Sequence, residues 1–195
     1  MIHKFNIPDN IYNELMEDIK NSNKKYNKNL VGNIKQEFDL SDYRDKYEKF
    51  IITKAVENKN LIDTINEIDI LFPNDQPFTL GKLWVNFQSK YEFNPIHNHS
   101  GVFSFILFLK IPFLIQDELK QGPGEEANEN LAGYLQFLKI DQNTKGSIIS
   151  EKLAVDKTWE KKGLIFRSYL NHCVNPFYSS DDYRITVSGN IYFKN

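Results

Sequence analysis

Cysteine is almost absent: the 195 residues hold one, Cys173. An internal disulfide and a thiolate metal cluster are therefore excluded, and any metal must be held by imidazole and carboxylate. An excess of one charge is missing as well. With a formal net charge of −2 and an isoelectric point of about 6.1, the chain lacks the basic face that follows a phosphate backbone, so nucleic acid is not an expected partner. Long apolar runs are also lacking. The longest, Val102 to Leu109, is far short of the roughly 20 residues that cross a bilayer, and MIHKFNIPDN has no apolar signal-peptide stretch. The expectation is a soluble, cytoplasmic protein with no membrane partner. Histidine is scarce, with four in the chain. Ordinary core material is plentiful: 41% of residues are hydrophobic and 26% charged, enough for one compact domain with a sizeable core and not for a second full-sized one.

Residues 1–70 read mostly as helix and loop. IPDNIYNELMEDIK spaces Ile11, Leu15 and Ile19 four apart behind a Pro-Asp-Asn start signal, which predicts an amphipathic packing helix. After the polar stretch NSNKKYNKNLVGN, apolar residues recur at helical spacing through Tyr47, Phe50, Ile51, Ala55, Ile62 and Ile65. From Phe78 the texture changes to short segments rich in β-branched and aromatic residues: FTLGKLWVNFQS, GVFSFILFLKI, GYLQFLKI, GSIISEKLAV, KGLIFRSY and YRITVSGNIYF. Strands joined by short connections, without alternating helices, predict an antiparallel sandwich or jelly roll. The expected organisation is a single, mainly β domain over residues 1–195, with a helical scaffold (1–75) packed on a jelly-roll core (76–195). Residues 116–133, acidic and punctuated by Gly and Pro, read as a surface loop.

Two of the four histidines sit together in NPIHNHSG as His97 and His99. On a strand, residues i and i+2 share a face, so both imidazoles can converge on one point. Two polar residues at a strand end would look the same, so a metal site needs a third ligand. His172, at the end of the apolar segment GLIFRSYLNHCVNPF, is a candidate, although a capping or core-edge histidine would also fit. Arg184 opens RITVSGNIYF, with Thr186 and Ser188 on its face. An arginine aimed into a barrel calls for an anion, and its fork suits a carboxylate. The alternative is an exposed arginine pairing with Asp181 or Asp182.

The order WVNF (84–87), HNHSGVFSF (97–105), GLIF (163–166), HCVNP (172–176) and RITVSGN (184–190) resembles the iron(II)- and 2-oxoglutarate-dependent oxygenases, especially short prolyl 4-hydroxylase-like members found in phages and marine bacteria. The resemblance covers about residues 80–193 and leaves out the first 70. It implies a double-stranded β-helix, the cupin-like jelly roll, with Fe(II) at its mouth and the co-substrate 2-oxoglutarate down the barrel. By that resemblance His97 matches the first metal ligand and His172 the distal one, while Arg184 and Thr186 match the pair that grips the far carboxylate of 2-oxoglutarate. It further implies O2 and a small-molecule or peptide substrate as partners.

His99 departs from the family pattern, which has a carboxylate there. Either the set is three histidines, which the same-face rule favours, or a remote carboxylate such as Asp141, Glu125, Glu126 or Glu129 enters. Three neutral imidazoles leave the metal more positive, strengthening its pull on a dianionic co-substrate. Asn86 and Gln88 share a face of WVNFQS and could contact the co-substrate, or serve sheet hydrogen bonding. Ser104 could line the co-substrate end, or belong to the core. Trp84 and Trp159 read as packing residues, and Cys173 as a small buried hydrophobe. The competing functions are a cupin-like metal protein that does not use 2-oxoglutarate and a non-catalytic jelly-roll binding module.

Overall fold

The computed structural model describes residues 2–68 and 78–194. The helix-to-strand boundary expected near residue 75 lies outside them.

Helix α1 (Asp9–Lys20) follows Pro8, whose extended backbone starts the helix, and it buries Leu15 and Ile19. Helix α2 (Arg44–Val56) buries Tyr47, Ile51 and Ala55, four residues apart on one face. The apolar periodicity continues into α3 (Lys59–Ile68), but the helix is interrupted at Asn58. Its side-chain Oδ1 accepts from the Leu61 N–H at 3.0 Å, capping α3 as a separate start.

Among the described residues ten strands follow in chain order: β1 (Ile2–Asn6), β2 (Gln36–Asp39), β3 (Phe78–Gln88), β4 (Asn94–His97), β5 (Phe103–Lys110), β6 (Leu135–Asp141), β7 (Ser147–Leu153), β8 (Lys162–Arg167), β9 (Asn171–Val174) and β10 (Arg184–Phe193). They form a six-stranded sheet, ordered β1-β8-β5-β10-β3-β2, and a four-stranded sheet, ordered β4-β9-β6-β7. Neighbouring strands pair antiparallel throughout. This is the jelly roll expected from the sequence.

The N-terminal region differs from its helix-and-loop reading, because β1 and β2 form the two edges of the large sheet. Both are short, and tertiary pairing decides them. Phe5 lies opposite Gly163, where a Cβ would come within 2.3 Å of the Phe5 ring, so β1 docks only because residue 163 has no side chain.

Alternation along the large sheet separates two cores. Phe103, Phe105, Leu107 and Leu109 of β5, with Val85, Val187 and Ile191, pack against Leu15, Tyr47, Ile51 and Leu61 of the helices. Ile106 and Phe108 of β5 and Phe166 of β8 point the other way, onto Leu135 and Phe137 of the small sheet. Each such side chain stabilises the fold by about 1.5–3 kcal/mol through burial.

Candidate metal centre

Strands β4 and β9 pair so that His97 stands directly opposite His172. His99 lies two residues past the end of β4, and its N–H donates to the Ser168 carbonyl at 2.8 Å. The ring centroids of His97 and His172 are 4.3 Å apart, those of His97 and His99 4.9 Å, and those of His99 and His172 5.1 Å. One ring nitrogen from each lies within 4.8 Å of the others.

Two of the rings are held by their own backbone. His97 Nδ1 lies 2.7 Å from the Pro95 carbonyl, and His172 Nδ1 lies 2.9 Å from that of Leu170. A carbonyl can only accept, so each Nδ1 carries the hydrogen and each Nε2 presents its lone pair. His172 also packs against Phe166 and Phe137, with centroids 4.9 and 5.7 Å away. Burial pushes all three imidazoles below their ordinary value. His99 falls to about 4, helped by His97. His172 falls to about 3, where His97 and His99 add to burial against the Leu170 carbonyl. His97 is lowered by burial against the opposing Pro95 carbonyl. The cluster is therefore neutral near pH 7 and offers three unprotonated nitrogens, a donor set that fits a divalent transition metal.

No carboxylate belongs to this cluster among the described residues. Asp141 accepts from the Asn143 N–H in the turn after β6, Glu129 pairs with Lys152, and Glu125 and Glu126 are exposed.

The histidines stand at a cavity of about 330 Å³ that also receives Trp84, Asn86 and Gln88 from β3 and Arg184, Thr186 and Ser188 from β10. That volume lies at the small end of the range for ligand pockets. Register explains the wall: Arg184 faces Gln88, Thr186 faces Asn86 and Ser188 faces Trp84.

Arg184 is 2% exposed, which settles it as an interior cation. Asp181 and Asp182 are engaged by Lys90 and Lys110. The guanidinium donates to Gln88 Oε1 from Nε (3.1 Å) and Nη2 (2.7 Å), to the Asn175 carbonyl from Nη2 (2.9 Å) and to the Gly133 carbonyl from Nη1 (3.0 Å). All these acceptors are neutral, and one Nη1 hydrogen is left over. Burial lowers its pKa to about 9 against the longer-range pull of Glu118. Glu118 is itself fully buried and committed to the Tyr178 and Ser179 N–H groups, although it lies in the segment read as a surface loop.

The other expected site residues divide by what occupies them. Thr186 Oγ1 accepts from Asn86 Nδ2 at 3.2 Å, which leaves its own hydroxyl hydrogen to donate. Gln88 is spent on Arg184 and on the Glu92 carbonyl. Ser104 is not among the residues lining the cavity; its Oγ lies 2.7 Å from Asn190 Oδ1 and 3.0 Å from Ser168 Oγ. Trp84 does more than pack: it lines the cavity with its ring centroid 5.9 Å from that of His99. Trp159 packs edge-on against Phe108. Cys173 is half-buried, and burial raises its thiol pKa.

Neither Glu37 nor Tyr26 was singled out from the sequence, yet both line the cavity. The available signal was the alternation Glu37, Phe38, Asp39, a half-buried strand inside a polar stretch.

No protein-family model matches the sequence, and no curated protein matches it. Solved structures do match in three dimensions. A prolyl-4-hydroxylase of Pseudomonas putida superposes with a TM-score of 0.56 at 12% identity, covering 100% of this chain and 93% of that one. A prolyl hydroxylase of Trichoplax adhaerens, in complex with a peptide fragment of the hypoxia-inducible factor oxygen degradation domain, gives 0.51 at 15% identity over 98% and 82% of the two chains. The chain shares the fold of these two prolyl hydroxylases. The non-haem α-ketoglutarate-dependent epimerase SnoN of nogalamycin biosynthesis shares it, with a TM-score of 0.50 at 9% identity over 99% of this chain and 78% of that one. The shared fold thus extends over the N-terminal elements that the sequence motifs left out.

Proposed function

We propose that the chain is an iron(II)- and 2-oxoglutarate-dependent oxygenase that hydroxylates a small-molecule or peptide substrate. The observation that carries this reading is that three neutral imidazoles converge at one cavity, whose wall also holds a buried arginine that no carboxylate among the described residues contacts directly. Such a cation is costly to bury unless an anion meets it. Without a dianionic co-substrate, as in the cupin-like alternative, Arg184 would be answered only by the longer-range charge of Glu118, which its own hydrogen bonds hold elsewhere.

His97, His99 and His172 would hold Fe(II), and Arg184 with Thr186 would hold the far carboxylate of 2-oxoglutarate. When bound, the iron supplies oxidation of 2-oxoglutarate by O2 to succinate and CO2, with transfer of one oxygen atom into a substrate C–H bond. The chain's own contribution is positional. The Pro95 and Leu170 carbonyls hold two imidazoles in the tautomer whose Nε2 lone pair would serve a metal. Gln88 fixes the plane of the Arg184 guanidinium through two hydrogen bonds. One remaining guanidinium hydrogen and the Thr186 hydroxyl hydrogen are left for the carboxylate. Ile106, Phe108, Leu135 and Phe166 line the cavity with apolar surface, which excludes water and strengthens the charge contacts.

The deciding experiment is succinate release under air with Fe(II), 2-oxoglutarate and a panel of metabolites and peptides, beside anaerobic calorimetry of 2-oxoglutarate. Substrate-stimulated succinate and saturable 2-oxoglutarate binding are expected. Metal binding with no affinity for 2-oxoglutarate would favour the cupin-like reading instead.

A further inference from the structure

The cavity has a polar end that neither the metal nor the co-substrate reading uses, and β2 builds it. Glu37 is 1% exposed, lines the cavity and stands opposite Asn86 in the β2–β3 register, so the two side chains share a face. One hydrogen bond reaches its carboxyl, from Asn27 Nδ2 to Oε2 at 3.1 Å. No described lysine, arginine or histidine pairs with it, and its strongest charged neighbour is a second carboxylate, Glu92.

Two more acceptors line the same cavity with nothing to accept. Asn86 Oδ1 and Asn94 Oδ1 are buried without a hydrogen-bond partner, and Asn86 as a residue is 6% exposed. Gly32 brings two of these oxygens together: a Cβ built on it would lie 2.3 Å from Asn94 Oδ1 and 2.9 Å from Glu37 Oε1. Beside them Tyr26 and Trp84 stack with centroids 6.1 Å apart, and both line the cavity. Acceptor oxygens that lack donors, a carboxylate without a counter-ion and an aromatic pair beside them are together the surroundings of a bound cation. Dianionic 2-oxoglutarate offers only acceptors and satisfies none of them.

We propose that this end of the cavity is a subsite for a positively charged group of the substrate, an alkylammonium or a guanidinium, met by Glu37, Asn86 and Asn94 beside the stacked rings of Tyr26 and Trp84. The proposal deepens the oxygenase reading and rests on it for the reaction that follows binding. Substrates would be amines or basic amino acids, free or as a side chain of a peptide, oriented with the charge at β2 and a carbon toward the histidines. Burial and Glu92 hold the Glu37 carboxyl up at about 7 against the hydrogen bond from Asn27, a cost that an entering cation relieves.

The test is anaerobic calorimetry on the Co(II)-loaded protein with L-arginine, L-lysine and agmatine, against the uncharged L-citrulline and L-norleucine, with 2-oxoglutarate titrated separately. At least one cationic probe should bind about thirtyfold more tightly than its neutral counterpart, and Glu37→Gln should remove most of that difference. Gly32→Ala, whose new methyl group would occupy the gap between the two oxygens, should weaken the same probe while leaving 2-oxoglutarate affinity unchanged. Equal affinity for charged and neutral probes, no binding of any cation, or cation binding indifferent to Glu37→Gln would overturn the proposal. The wild-type comparison decides it even if a variant fails to fold. If cations bind through Glu37 and 2-oxoglutarate does not bind, the oxygenase reading fails and the subsite stands; the reverse result removes the subsite alone.

Discussion

The two faces of the six-stranded sheet are built from the same strands and have opposite character. Along β10, Ile185, Val187 and Ile191 enter the helix-side core, while Arg184, Thr186 and Ser188 line the cavity. Along β3, Leu83 and Val85 face the helices, and Trp84, Asn86 and Gln88 face the cavity. Parity along a strand thus separates what stabilises the chain from what is available to bind. Because neighbouring residues hold these different tasks, substitutions one position apart should report on different properties.

The largest effect tests the cavity side. His172→Ala should weaken Co(II) or Fe(II) binding by about 4 kcal/mol, roughly a thousandfold, if three ligands share a binding energy of the usual size. The metal-free variant should unfold close to the wild type. His99→Ala should do the same, and full affinity in that variant would return the search to a remote carboxylate. Phe103→Ala tests the other face. It should cost about 3–5 kcal/mol of folding stability in urea, while the folded fraction keeps its metal affinity.

Arg184→Ala should leave metal binding intact and weaken 2-oxoglutarate by about 2–4 kcal/mol, read by anaerobic calorimetry. Glu37 gives a pH test. Its folded carboxyl sits at about 7, above an ordinary value of 4.5. The folded state therefore holds this proton more tightly, and the stabilisation is present below about 4.5 and lost as pH rises through 7. Relative to Glu37→Gln, wild-type stability should fall by about 2–3 kcal/mol between pH 4.5 and 8; parallel pH profiles would show that the site does not press on this carboxyl. The smallest effect is that of Thr186→Val, about 1 kcal/mol in 2-oxoglutarate affinity for one neutral hydrogen bond.

Much of this arrangement was legible because it depends on local periodicity. The alternation in RITVSGNIYF already separates Arg184 and Thr186 from Ile185 and Val187, and the spacing of His97 and His99 already points both imidazoles one way. What was not legible depends on pairing. Strands as short as β1 and β2 take their structure from β8 and β3, and no propensity inside four or five residues announces such a partner. Glu37 was hidden for that reason, since a glutamate in a polar stretch reads as surface until β2 is placed against β3. Asn58 shows the same limit on a smaller scale: the apolar period ran through it, and its capping hydrogen bond divided one expected helical stretch into α2 and α3.

The pairing of His97 with His172 across β4 and β9 has a mechanical consequence. These residues are roughly 75 positions apart, and the intervening chain includes β5, β6, β7 and β8. A divalent ion on both imidazoles would act as a clasp that closes a loop of that length, and long loops gain most from closure. His99 adds a second attachment, because its backbone is tied to Ser168 in the connection between β8 of the large sheet and β9 of the small one. Filling the centre would therefore fasten the mouth of the barrel across both sheets, so that heat tolerance becomes a readout of metal occupancy, rising with the free metal concentration relative to its Kd.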